Sequence, residues 1–106
     1  MNDDVAKSVL GLGSVFTIHD IESWRERFLE SLNAAVSCLV LDGADIDQVD
    51  GPALQLLASL VLEAKDAGKE IVWEGASDEL IASARLIGLS ELLGLGLLNT
   101  TDSGSE

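Results

Sequence analysis

The junction between a continuous apolar run and a proline-containing helix start most constrains the fold of this chain. Residues 38–41 are all apolar and Asp42 follows them. A run of this length indicates a strand buried on both faces, which is typical of parallel sheets. Gly51 suits a helix N-cap, and Pro52 suits the first helical position, where a missing N–H has no cost. The junction therefore predicts a strand–loop–helix unit of an α/β fold.

Hydrophobic periodicity predicts the remaining elements. The predicted helices are 20–35, 51–67, a third that Ser77 caps and Gly88 ends, and a single turn at 90–93. The predicted strands are 37–42, 71–73 and one or two within 9–18, of which 15–18 is the most strand-like. Gly68 follows the second helix as its C′ residue. The alternating order predicts a single α/β domain with a small, largely parallel or mixed sheet and helices packed against it.

The length and the composition of the ends predict one folded domain. The 106 residues fit a single domain, with a disordered start at 1–7, a folded part at 8–98 and a disordered acidic tail at 99–106. The leucine-rich run at 92–98 leaves two alternatives open. It forms a contact with a second copy or a partner, or it folds back on the sheet.

The charge of the chain excludes several classes of function. There are 19 acidic residues against 6 basic ones, a net charge of −13. This balance argues against binding to nucleic acid or anionic lipid, which need clustered Lys and Arg. It favours solubility and a partner with a basic surface, and it is equally typical of an acidic soluble protein with no charge-steered partner. No apolar run approaches the roughly 20 residues of a membrane helix. With an acidic N-terminus and a single cysteine, the sequence predicts a cytoplasmic protein without direct membrane insertion.

No constellation of residues predicts catalysis or a cofactor. His19 is the only histidine, and Cys38 lies in an apolar strand, where a structural thiol is expected. Acidic residues occur at 42, 45, 47 and 50, but Val49 fills a ligand position of the calcium-loop template, and the glycine it requires is missing. A phosphoaspartate receiver is disfavoured because Lys69 precedes a strand instead of following one. The prediction is a protein that is not an enzyme and has no metal or cofactor.

Three segments match one family in order and spacing. They are Leu39–Asp42 followed by Val49–Leu54, the turn Ala67–Lys69 before the strand at 71–73, and Ala84–Leu89. They resemble the strand, loop and helix-start signature, the return to the next strand, and the final helix of STAS domains. STAS domains are the module of bacterial anti-sigma factor antagonists and of sulfate-transporter tails. The resemblance covers about residues 14–95 and implies a regulatory protein-interaction module.

The resemblance also implies where a partner would bind. The family signature reads acid, Ser or Thr, small residue, Gly, Leu. Asp50 takes the place of the acid, whereas Gly51 and Pro52 stand where the family keeps the hydroxyl that a partner kinase phosphorylates. The phosphorylation switch is therefore not expected here. The predicted partner-binding residues are Asp47, Gln48, Asp50, Gly51, Pro52, Gln55 and Ser59.

Two functional hypotheses follow from the resemblance. The first is a module of a bacterial signalling system, either anti-sigma antagonist-like or chemotaxis-associated, with an anti-sigma, kinase-like or chemotaxis protein as its partner. The alternative is a STAS subunit of a lipid-transport ABC complex that braces the ATPase. A homodimer is compatible with both hypotheses.

Overall fold

A computed structural model describes residues 7–95. Within this range the strands are β1 (Lys7–Gly11), β2 (Val15–Phe16), β3 (Cys38–Gly43), β4 (Gln48–Val49) and β5 (Glu70–Ala76). The helices are α1 (Ile21–Asn33), α2 (Gly51–Asp66), α3 (Asp78–Leu86) and α4 (Ser90–Leu93), and a 3-10 turn at Ile18–Asp20 precedes α1. The predicted α/β architecture is confirmed.

The main sheet is parallel, with the strand order β1–β3–β5, and β2 pairs with β4 in a second, two-stranded parallel sheet. β3 lies in the centre of this sheet, and both of its edges are paired with neighbouring strands. Residues 38–41 are all buried, as the sequence predicted.

The helices cover one face of the main sheet. Leu39 and Leu41 of β3 belong to the hydrophobic core, together with Leu57 and other apolar residues of α2. On the other face, Val9 and Val72 flank the central strand and are exposed to solvent. Side chains alternate between the two faces of a strand, so a shift of one residue in register would exchange these two sets.

Several predicted boundaries differ from the structure. The region 15–18 forms only the two-residue β2 followed by the 3-10 turn, and the longer strand is β1, whose first residue is Lys7. The last predicted strand extends over Glu70–Ala76, and a register irregularity leaves Glu74 without a paired residue in β3. The other residues of the predicted disordered start, residues 96–98 of the predicted folded part, and the predicted acidic tail lie outside the described residues.

The glycines predicted to end α2 and α3 are confirmed, whereas α1, predicted over 20–35, ends at Asn33. Gly68 follows α2 and Gly88 follows α3, both with positive φ (80° and 78°), the conformation in which glycine avoids the penalty of a side chain. Ser77 caps α3, and its hydroxyl oxygen accepts a hydrogen bond from the backbone N–H of Leu80 at 3.1 Å. The single turn predicted at 90–93 is α4.

Candidate protein-docking site

The start of α2 is fixed by the side chain of Asp50. Its backbone is extended, and its Oδ1 accepts a hydrogen bond from the backbone N–H of Ala53 at 3.1 Å. Asp50 is therefore the N-cap, and Gly51 and Pro52 are the first two helical residues. The N-cap predicted at Gly51 is therefore wrong by one residue. Pro52 fits either of the first helical positions, whereas Asp50 has the side-chain acceptor that a cap needs.

The second carboxylate oxygen of Asp50 reaches the segment that leads into α1. Oδ2 accepts a hydrogen bond from the backbone N–H of Ile18 at 3.0 Å. Ile18 is the first residue of the 3-10 turn before α1. One carboxylate thus joins the approach to α1 with the first turn of α2. Because both oxygens are hydrogen-bonded within the chain, Asp50 contributes to the site by positioning its neighbours.

The predicted docking residues differ in their exposure. Gly51 and Asp50 are half-buried. The exposed members of the set are Asp47, Gln48, Pro52, Gln55 and Ser59. The loop before α2 begins at Asp42, whose Oδ1 accepts a hydrogen bond from the backbone N–H of Ala44 at 3.2 Å.

Two apolar residues that the sequence analysis did not assign to the site lie beside it. Val15 is 40% exposed and pairs with Gln48, and Ile18 is 48% exposed and is hydrogen-bonded to Asp50. Both belong to the segment 15–18 that the sequence predicts as a strand. For Val15 the available signal was the alternation with its neighbour Phe16, which is fully buried, because successive residues of a strand point to opposite sides. The same alternation would bury Ile18, which is exposed because the chain has entered the 3-10 turn.

Ser59 lies apart from the helix start, in a groove between α1 and α2. The groove has a volume of about 310 Å³. It is lined by Arg25, Phe28, Leu29, Leu32, Leu56, Ser59, Leu60 and Glu63. The Ser59 hydroxyl donates a hydrogen bond to the backbone carbonyl of Gln55 at 3.3 Å. The predicted residues therefore fall into two places, with positions 47–55 at the helix start and Ser59 in the groove.

The missing hydroxyl at the helix start is not a consequence of packing. A Cβ atom built on Gly51 would have no heavy atom within 4 Å, apart from its chain neighbours and its own helix backbone. Space for a serine therefore exists at this position. The chain as it stands has no Ser or Thr at 51 or 52 that a kinase could modify.

The opposite ends of α1 and α2 are joined by Lys69. Its Nζ donates hydrogen bonds to the backbone carbonyls of Ala34 at 3.0 Å and Val36 at 2.6 Å, just after α1. Gly68, in the left-handed conformation, turns the chain so that Lys69 follows α2 directly. These contacts give a structural reason for the Ala-Gly-Lys turn.

The single histidine, the single cysteine and the two tryptophans of the sequence have the following positions. His19 is exposed in the 3-10 turn, and Cys38 is buried in β3. Trp24 is buried in the core. Trp73 is half-buried, and its Nε1 donates a hydrogen bond to the backbone carbonyl of Leu93 at 2.7 Å, which ties β5 to α4.

Two further features concern metal ligands and membrane-spanning helices within residues 7–95. Within this range no group of three or more His, Cys, Asp or Glu side chains is arranged to hold a metal ion. No described helix is both long enough and apolar enough to cross a membrane.

A parallel sheet with helices on one face, and a loop leading into a capped central helix, define a small α/β domain. The chain belongs to the STAS domain family, because the family model described as "Mlab, STAS domain" matches residues 2–97. No match was found among curated proteins.

Solved structures agree with this assignment at the level of the fold. A sulfate transporter family protein from Wolinella succinogenes has a TM-score of 0.68 at 15% identity, with 82% of this chain and 70% of that one covered. The anti-sigma factor antagonist SpoIIAA in its unphosphorylated form has a TM-score of 0.68 at 14% identity, with coverage of 87% and 81%. The STAS domain of a SulP transporter from Vibrio cholerae has a TM-score of 0.63 at 16% identity, with coverage of 99% and 89%.

Proposed function

We propose that this STAS domain is a non-enzymatic regulatory module that binds a protein partner through the start of α2, without phosphorylation at that site. The observation that carries the proposal is the Asp50 carboxylate, which holds Ile18 and the first turn of α2 together in one rigid surface. A surface that is already ordered loses less conformational entropy on binding than a mobile one. Partner binding at this place therefore does not need a phosphate to order it.

The composition of this surface supports a protein as the ligand. Two exposed apolar side chains, Val15 and Ile18, lie beside the exposed polar residues Gln48 and Gln55. Apolar side chains surrounded by polar ones are the usual anatomy of a protein interface. The acidic residue Asp47, together with the net charge of −13, favours a basic partner surface and faster association at low ionic strength.

A bacterial signalling system in the cytoplasm is the setting that we favour, with a kinase-like, anti-sigma or chemotaxis protein as the partner. The likeness in fold to the anti-sigma factor antagonist SpoIIAA supports this choice. The second candidate is a STAS subunit of a lipid-transport ABC complex that braces the ATPase. The match to the family model described as "Mlab" and the likeness to two transporter-family structures favour it.

Affinity purification from the native host tests both the surface and the setting. The bait is the full chain, and the soluble and detergent-extracted fractions are processed separately, with bound proteins identified by mass spectrometry. A kinase-like or chemotaxis protein in the soluble fraction supports the signalling role. An ATPase recovered with its permease in the detergent fraction supports the transport role instead.

A matched pair of variants locates the contact. Gln55→Arg places a bulky cation on the exposed surface near the start of α2, and Ala67→Arg adds the same charge at the exposed far end of the helix. We expect Gln55→Arg to abolish capture of the partner and Ala67→Arg to leave it unchanged, with both variants giving the wild-type circular dichroism spectrum. Unchanged affinity of Gln55→Arg for the purified partner would refute docking at the helix start.

A further inference from the structure

The groove between α1 and α2 is an apolar surface with one charge of each sign. Its floor and walls are mainly Phe28, Leu32, Leu56 and Leu60. Leu29 also lines it and is 51% exposed. An exposed leucine beside an apolar groove is unfavourable in water, because the area that it could bury remains hydrated. Such a surface is typical of a contact with another protein chain.

The two helices run parallel, which fixes where the groove charges lie. The helix starts are joined through Asp50 and Ile18, and the helix ends are joined through Lys69 and the carbonyls that follow α1. Arg25 lies in the second turn of α1, and Glu63 lies in the last turns of α2. Arg25 therefore lies at the end of the groove near the helix starts, and Glu63 lies at the other end.

The spacing of these charges is symmetric about the centre of the groove. Seven residues separate Arg25 from Leu32 along α1, and seven separate Leu56 from Glu63 along α2. Each interval corresponds to about 10 Å of helix, close to two turns. A two-fold axis that lies in the plane of the interface, passes through the centre of the groove and is perpendicular to the line joining Arg25 and Glu63 exchanges the positive end of one copy with the negative end of another.

We infer that the groove is the interface of a homodimer, in which Arg25 of each copy lies against Glu63 of the other. A two-fold interface must be self-complementary, since any contact between two residues occurs twice with the roles exchanged. The leucines at position 29 of the two copies meet near the axis and cover the grooves. Complementary charges are required in this chain, because two copies that each carry a charge of −13 otherwise repel each other.

A second copy explains the groove better than a basic helix of another protein. A uniformly basic helix would match Glu63 but would place like charge against Arg25. The dimer interface is also separate from the surface proposed to bind the regulatory partner, because Val15, Ile18 and Pro52 do not line the groove. The inference therefore does not depend on the proposed function.

Charge reversal tests the pairing directly. Sedimentation equilibrium of the full chain should show a dimer for the wild type. Arg25→Glu alone and Glu63→Arg alone should each raise the dimer Kd about tenfold or more, since each creates two repulsive contacts per dimer. The double variant should return the Kd to within about threefold of the wild type, because the pairs are restored with reversed sign. A monomeric wild type at about 0.5 mM, or a double variant as weak as the single ones, would overturn the inference.

Leu29→Glu tests the apolar centre, with Leu86→Glu as its control. Leu86 is 86% exposed on α3, does not line the groove and undergoes the same chemical change. Leu29→Glu should make the protein monomeric, whereas Leu86→Glu should leave the dimer intact, with unchanged circular dichroism spectra for both. Equal loss of the dimer in both variants would place the interface elsewhere and contradict the inference.

Discussion

The two ends of the α1–α2 pair are each held by one charged side chain, and the two charges are opposite. At the helix starts, the Asp50 carboxylate accepts hydrogen bonds from the N–H groups of Ile18 and Ala53. At the helix ends, the Lys69 ammonium donates to the carbonyls of Ala34 and Val36. The carboxylate meets N–H groups at the start of α2 and of the 3-10 turn, the ammonium meets carbonyls that follow α1, and each charge has the sign that the helix dipole favours at its end.

The difference between the two ends lies in what surrounds the charge. Beside Asp50, the side chains of Val15 in β2 and Ile18 in the 3-10 turn are exposed to solvent. Beside Lys69 there is a tight glycine turn and the start of β5. The same type of contact therefore has two different results. Near Asp50 it fixes an exposed apolar surface, and near Lys69 it holds the tight turn that leads into β5. Fixing the helix pair at both ends keeps the groove between them in one shape.

Removal of Asp50 should give the largest effect. Asp50→Ala deletes the cap of α2 and its link to Ile18, and we expect a loss of about 2 kcal/mol in the free energy of unfolding. Urea denaturation followed by circular dichroism measures this loss. Asp50→Asn keeps a side-chain acceptor and should lose clearly less. Equal losses for the two variants would mean that the hydrogen bonds of Asp50 are not what stabilises the helix start.

Removal of Lys69 should have a smaller effect on stability and none on partner binding. Lys69→Met keeps most of the aliphatic chain and removes both hydrogen bonds, for an expected loss of about 1 kcal/mol. The control is Lys65→Met on the exposed side of α2, which should change the free energy of unfolding by less than about 0.5 kcal/mol. If Lys69→Met weakened partner binding as strongly as Gln55→Arg, the functional difference between the two ends would be refuted.

Introduction of a hydroxyl at the helix start should have the smallest effect. Gly51→Ser places its side chain in open space on a helical residue and should change stability by no more than about 0.5 kcal/mol. Thermal unfolding of the variant beside the wild type checks this. A loss greater than about 1 kcal/mol would show that glycine is required by the fold at position 51.

The sequence predicted the elements whose signal is local. The run at 38–41 identified the central strand, because burial on both faces needs an unbroken apolar sequence. Gly68 and Gly88 marked helix ends, because the left-handed conformation that often follows a helix is adopted most readily by glycine. The helix cap was missed by one residue, although Asp50 has the side-chain acceptor that Gly51 lacks and that binds the N–H of Ala53.

The sequence by itself determined the α/β order of this protein, the glycine ends of α2 and α3 and the lack of a hydroxyl at positions 51 and 52. The tertiary structure decided that Asp50 binds Ile18, that Lys69 binds the carbonyls after α1, and that Val15 and Ile18 are exposed. The physical reason is separation along the chain. Asp50 is 32 residues from Ile18, and Lys69 is 35 from Ala34, so only folding brings them into contact.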